Sequence, residues 1–160
     1  MLNFDLSIPN PSDWINSSKE LLELNWNNES ISNHFKNENC LNIYLLEGEI
    51  PKGVLLGHFL YQDPKSIEFE ILHIAILPNF RNQGFGFELL IELEKQLKKS
   101  IKSTKIFLEV NSENKFAIKL YQKLGYKAYN ERKNYYRSNS INSSDSADAI
   151  LFAKSLDDII

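Results

Sequence analysis

The stretch Ile74-Ala75-Ile76-Leu77-Pro78-Asn79-Phe80-Arg81-Asn82-Gln83-Gly84-Phe85-Gly86-Phe87 decides the reading of this chain. An apolar run stops at Pro78, a short loop follows, and two glycines two positions apart open an amphipathic segment. Glycine lets a backbone come close to a guest, and the first N–H groups of a helix have no partner inside it. The helix dipole adds attraction for negative charge. Residues Arg81, Asn82, Gln83, Gly84, Phe85, Gly86 and Phe87 therefore read as a cradle for an anion, most naturally a diphosphate. A dinucleotide fingerprint would need a third glycine where Leu89 stands, and a P-loop would need a lysine where Phe87 stands. Two glycines alone also fit a helix start that merely packs tightly.

Working outward, Leu89, Leu90, Leu93 and Leu97 have helical spacing and predict a helix over 84–99. The nearly unbroken apolar run 106–110 predicts a central, buried strand. A helix over 114–124 follows, ended by Gly125. Strands are expected at 126–131 and 149–153, with a low-complexity, flexible loop over 137–147 between them. Upstream, 3–8 reads as a short strand. Asn10 and Pro11 open a helix that runs to about Leu24, and a second helix covers 29–36. Strands at 41–47, 54–62 and 66–77 complete the pattern, with a turn over 48–53. Strands in a run, then alternating strands and helices, predict an α/β domain over 1–160, a mixed sheet flanked by helices.

Composition bounds the function. The chain has 160 residues, 42% hydrophobic and 24% charged, which suits one globular domain. A formal net charge of -3 gives no electrostatic footprint for nucleic acid. Lys95, Lys98, Lys99, Lys102 and Lys105 crowd one stretch and read as a solvated helix end. Cys40 is the one cysteine, so no intramolecular disulfide forms, and nothing near it marks a nucleophile. His34, His58 and His73 lack ligand spacing, so no metal is expected. No apolar run approaches the ~18 residues of a membrane span, and no signal-peptide pattern opens the chain. The expectation is a cytoplasmic protein.

Arg81-x-x-Gly84-x-Gly86 resembles the acetyl-CoA pyrophosphate loop of the GNAT superfamily. The block from Leu108 to Tyr126 resembles the second half of that fold, at matching spacing. Glu109-Val110, Asn114, Leu120-Tyr121, Leu124-Gly125-Tyr126, Arg132-x-Asn134-Tyr135-Tyr136 and Asp148-Ala149-Ile150 are similar to the ribosomal-protein alanine N-acetyltransferases. Over the first sixty residues the likeness is one of layout. Phe87 stands where that family usually carries a basic residue, and the 137–147 loop is longer than usual.

The resemblance implies an enzyme that moves the acetyl group of acetyl-CoA to a protein N-terminal amine, in a ternary complex without a metal. The expected acceptor is the N-terminal alanine of a ribosomal protein. It implies cofactor contacts from the main chain of Ile74, Ala75 and Ile76, from Arg81 to Phe87 and from Asn114. It makes Glu109 the general base and Tyr121 the acid for the leaving sulfur. Tyr135 and Tyr136 are expected to line the acceptor groove. The residues also carry plainer readings. A glutamate between Leu108 and Val110 needs a partner or a job, so Glu109 fits a paired structural residue too. Tyr121 lies on the apolar stripe of its helix, Asn114 suits a helix cap, and Tyr135 and Tyr136 suit strand packing. The rival functions are transfer to a small-molecule or lysine amine, and acyl-CoA binding without catalysis.

Overall fold

A computed structural model describes residues 1–100, 102–137 and 146–157. Its strands are β1 (Leu2–Asp5), β2 (Cys40–Glu47), β3 (Ile50–Gln62), β4 (Ser66–Ile76), β5 (Ser103–Asn111), β6 (Lys127–Arg137) and β7 (Ser146–Ser155). Its helices are α1 (Pro11–Ser18), α2 (Asn28–Lys36), α3 (Phe85–Lys98) and α4 (Lys115–Lys123), with a 3-10 turn at Pro78–Phe80. The strands form one sheet in the order β1-β2-β3-β4-β5-β7-β6. Among the described residues only β4 and β5 pair in parallel, so the sheet is mixed, as expected.

The two faces of the sheet bury separate cores. Leu89, Leu90, Leu93 and Leu97 of α3 are all buried against Ile43, Leu55, Phe69, Ile106 and Leu108. On the opposite face Ile15, Leu22 and Ile31 pack on Tyr44, Val54 and Leu56. Strand alternation assigns each side chain to a face. Ile74 and Ile76 join the α3 side, and Ala75 joins the α1–α2 side.

Several boundaries differ from expectation. Helix α1 stops at Ser18 rather than near Leu24. Asn10 is left-handed (φ 47°) and gives no side-chain cap. Beyond Ser18 the chain turns, and Glu23 adopts φ 55°. The carbonyls of Leu21 and Leu22 accept from side chains elsewhere in the fold instead of continuing a helix. Strand β3 begins at Ile50, so only Gly48 and Glu49 make the turn. Strand β6 runs on to Arg137, and Ser146 and Ala147, expected in the loop, open β7. The rest of the expected flexible loop, 138–145, lies outside the described residues. No helix among the described residues is long and apolar enough to cross a membrane.

Two irregularities shape the centre. Pairing of β4 with β5 ends at Ile71↔Leu108, although β4 runs on to Ile76 and β5 to Asn111. Beyond that point the two strands separate. On its other edge β4 carries one extra residue, Leu72, between Ile71↔Gly57 and His73↔Leu56. Such a bulge bends a strand and increases its twist. Gly57 faces it, and a Cβ there would lie 2.5 Å from Phe69 Cε1, so β3 keeps its place only with glycine.

Candidate active site

A cleft of about 450 Å³ opens where β4 and β5 part. Ile74, Ala75 and Ile76 form one wall and Leu108, Glu109, Val110 and Asn111 the other. The β4 wall is a strand edge released from β5, so its main chain is available to a ligand that adds as a strand. A smaller hollow of about 210 Å³ adjoins at Arg81, Asn82, Gly84, Phe85, Gly86 and Phe87.

The hollow has the features of an anion cradle. Gly84 is the residue before α3, with φ 86°, and Asn82 precedes it at φ 60°. Both conformations turn the chain sharply, and glycine and asparagine accept them most readily. Among the described residues no side chain caps α3, so the N–H groups of Phe85, Gly86 and Phe87 start the helix without intrahelical acceptors. Tight packing does not account for Gly86: a Cβ there would meet only Leu120, at an ordinary 3.6 Å. The glycine instead leaves the hollow open.

Arg81 belongs to this loop, but its side chain turns away from it. Nε donates to the carbonyl of Ile76 at 2.8 Å, Nη2 to that of Leu21 at 2.8 Å, and Nη1 to Glu23 Oε1 at 3.0 Å. Gln83 reaches back to the Asn79 carbonyl at 3.4 Å. What these two residues offer the hollow is main chain. A positive charge lies nearby on α4: Lys123 Nζ is 5.1 Å over the ring of Phe87, itself a lining residue of the hollow.

Glu109 lines the cleft and is partly exposed. Its Oε1 lies 3.1 Å from Arg132 Nη1 on β6, so it has both a partner and access to the cleft. Tyr121 lines the same cleft from α4. Its ring is buried, edge-on to Tyr126 with centroids 5.9 Å apart. Burial, helped by Tyr136, raises its pKa, so the phenol stays protonated and able to donate. Asn114 caps α4 by accepting from the Ala117 N–H at 3.1 Å, and it also lines the cleft.

The two candidate groove tyrosines part company. Tyr136 lines the cleft, and its pKa is raised by burial, then by the Glu109 carboxylate. Tyr135 does not line it. It is exposed, packs edge-on against Tyr136 at 5.2 Å, and lies under the Arg132 guanidinium at 5.4 Å. The cause is local. Between Arg132↔Ala149 and Tyr136↔Ala147, β6 carries two more residues than β7. Asn134 takes φ 52° there, and Asp148 Oδ1 accepts its N–H at 2.8 Å. The loop-out sends Arg132 toward Glu109 and sets Tyr136 in the cleft wall.

His73, Glu23 and Phe116 also line the cleft; the sequence offers His73 only as a histidine without metal-ligand spacing and marks neither Glu23 nor Phe116 as a site residue. His73 Nε2 contacts the Leu22 carbonyl at 2.9 Å, and burial lowers its pKa. Phe116 is exposed beside the apolar stripe of α4, a signal that was legible. Among the described residues no three His, Cys, Asp or Glu side chains cluster as metal ligands.

Known proteins resemble this arrangement. A [ribosomal protein bS18]-alanine N-acetyltransferase of Haemophilus influenzae is 35% identical over 111 residues, 69% of this chain and 70% of the relative. The Escherichia coli K12 enzyme of that name is 39% identical over 69 residues, 43% of this chain and 46% of the relative. Over the first curated relatives it matches, the chain spans about half of their length. In fold, it superposes on a crystal structure of the Escherichia coli ribosomal-protein-S18-alanine N-acetyltransferase with a TM-score of 0.82 at 23% identity, covering 97% and 94% of the two chains. The model of the acetyltransferase (GNAT) family matches residues 5–126, and with the parted β4 and β5 strands and the glycine cradle at the start of α3, this chain belongs to that family.

Proposed function

We propose that this protein transfers an acetyl group from acetyl-CoA to the α-amine of a protein N-terminus, with the N-terminal alanine of a ribosomal protein as the preferred acceptor. The observation that carries this reading is the meeting of Glu109 and Tyr121 in one cleft between the parted strands. That cleft runs into the Gly84–Gly86 hollow, so one guest can occupy both.

The residues present fit acetyl-CoA. The uncapped start of α3 suits its diphosphate, Lys123 adds charge beside Phe87, and the free edge of β4 at Ile74–Ile76 suits an amide-bearing arm. When bound, it supplies an activated acyl carbon and a thiolate leaving group. Glu109 takes a proton from the attacking amine, directly or through water, as the new N–C bond forms. Tyr121 gives its proton to the sulfur as the C–S bond breaks. Burial holds that phenol protonated at neutral pH, and the charge developing on the sulfur draws the proton across. Arg132 fixes the position of the Glu109 carboxylate. Both proton movements are balanced by residues of this chain, and no covalent enzyme intermediate is required. The work takes place in the cytoplasm, where ribosomal proteins are made.

An α-amine suits this base. Its pKa is about 7.7–8.0, whereas a lysine amine near ~10.4 costs about 3 kcal/mol more to deprotonate at one pH. The test uses two peptides at equal concentration, with release of free thiol as the readout. One has a free N-terminal alanine, and the other has a blocked N-terminus and an internal lysine. The expected result is turnover of the first alone. Equal rates, or preference for the lysine peptide, would overturn the proposed acceptor. No thiol release with any amine would reduce the protein to an acyl-CoA-binding module.

A further inference from the structure

Arg81 is the member of the loop motif whose side chain makes hydrogen bonds far along the chain. Its guanidinium spans two regions that the chain separates by about sixty residues. Nε holds the carbonyl of Ile76, the last residue of β4. Nη1 and Nη2 hold Glu23 Oε1 and the Leu21 carbonyl. His73, three residues back on β4, takes the Leu22 carbonyl. Three successive residues after α1 are therefore fastened to the wall of the cleft.

Those residues need fastening. Glu23 is a non-glycine residue at φ 55°, a conformation that costs on the order of 1–3 kcal/mol and persists only where surroundings enforce it. The internal bonds of the turn are few: Leu22 N–H to Ser18 O, Glu23 N–H to Glu20 O and Leu24 N–H to Lys19 O. Leu22 and Glu23 line the same cleft as Glu109 and Tyr136.

We propose that Arg81, assisted by His73, is a positioning residue for the acceptor: it holds the Leu21–Glu23 turn as the wall against which the incoming amine is placed. It does not serve as a diphosphate ligand through its side chain. The fork has a geometric advantage here. A guanidinium presents five donors in a rigid plane and can serve three acceptors at once, whereas an ammonium on a flexible stem cannot hold the same three in fixed relation. One consequence is that the loop that receives the cofactor and the turn that receives the acceptor are joined through one side chain. This inference rests on the proposed acetyl transfer, and the experiment keeps the two separable.

Arg81→Lys keeps the charge and the main chain of the loop and removes the fork. His73→Leu keeps bulk and removes the donor to Leu22. Each variant is compared with the wild type by amide hydrogen exchange at Leu22 and Leu24, by acetyl-CoA binding calorimetry, and by steady-state rates on the free N-terminal alanine peptide at saturating acetyl-CoA. Arg81→Lys is expected to speed exchange at both amides and to raise the peptide KM by roughly tenfold or more, since small misplacement of a reactant is costly. His73→Leu shifts both in the same direction by less. Acetyl-CoA affinity stays at the wild-type level. Weakened acetyl-CoA binding with an unchanged peptide KM would overturn the proposal and return Arg81 to the diphosphate. A fall in kcat alone, or parallel weakening of both ligands, would also overturn it. If the wild type acetylates no peptide, the proposed function fails, and exchange still decides the clamp: unchanged protection at Leu22 and Leu24 in both variants refutes it.

Discussion

The proposed cofactor half of this cleft and its proposed acceptor half are built by different means. The cofactor half is local. Fourteen consecutive residues end a strand, turn the chain through Asn82 and Gly84, and start α3 with its N–H groups free. The acceptor half is assembled from afar: the turn after α1, the loop-out in β6, and Glu109 from the middle of β5. A site made of main chain tolerates varied side chains and fails when its space is filled. A site made of long-range side-chain contacts fails when a single partner is removed.

The largest expected effect tests whether chemistry sits where the halves meet. Tyr121→Phe keeps the ring packed against Tyr126 and Phe152 and removes only the hydroxyl. Turnover should fall by roughly 10²-fold or more, the usual range for a proton-transfer group, with the thermal midpoint preserved. Wild-type turnover would make Tyr121 a core aromatic and leave the meeting point without its acid.

A second change isolates the cofactor half. Gly86→Leu should leave the fold intact, because a Cβ there makes an ordinary contact with Leu120 at 3.6 Å and Gly86 lines the open hollow, which can take the rest of the side chain. It should abolish the stabilisation by acetyl-CoA, which for wild type at a hundredfold excess over Kd amounts to about 2.7 kcal/mol. Thermal shift measures this directly. A full shift in the variant would show that the hollow is not the phosphate site.

The smallest effect separates the halves by acid. His34, on α2, and His73, on β4 and bonded to the Leu22 carbonyl, both have pKa values lowered by burial. Hydrogen bonding to Asn42 and to Leu22 offsets part of this, with His58 near the first and Glu23 near the second. A depressed folded-state pKa gives stability that is complete above the unfolded value of about 6.5 and is lost as pH falls through the folded value. The thermal midpoint should therefore drop between pH 7.5 and pH 5.5. Exchange should quicken first at Leu22 and Leu24, while α3 amides stay protected. Uniform loosening of α3 and the turn would break the distinction.

The same division explains what could be read in the sequence. Helix α3 and its buried leucines, β5, and α4 with Asn114 and Gly125 at its ends follow from nearby residues, and all lie close to expectation. Glu109 and Tyr121 drew attention for local reasons, one a charge in an apolar strand and the other part of a motif. The end of α1 is not legible locally: α1 stops at Ser18, and the Leu21 carbonyl accepts from Arg81, some sixty residues on. Arg81 was assigned to the loop by its position, and no pattern shows where a long side chain will turn. Tyr135 and Tyr136 looked equivalent until the two extra residues of β6 set them apart. Lys123 beside Phe87 is a contact between two helices that no spacing rule connects.

The parting of β4 from β5 also filters what can enter. A free strand edge invites any extended polypeptide to pair with it, a hazard most proteins hide. Here the free run begins at Leu72, inside the sheet, in a wedge that closes at Ile71 and Leu108. A second polypeptide strand would need its full width, about 4.8 Å on each side, all the way to the apex. At the apex β4 and β5 are themselves paired at that spacing, so no third strand fits between them there. The amide-bearing arm proposed for this edge would enter from the open end and borrow the same hydrogen bonds. How deep an extended guest can reach is thus bounded by the backbone, where β4 and β5 pair at Ile71 and Leu108.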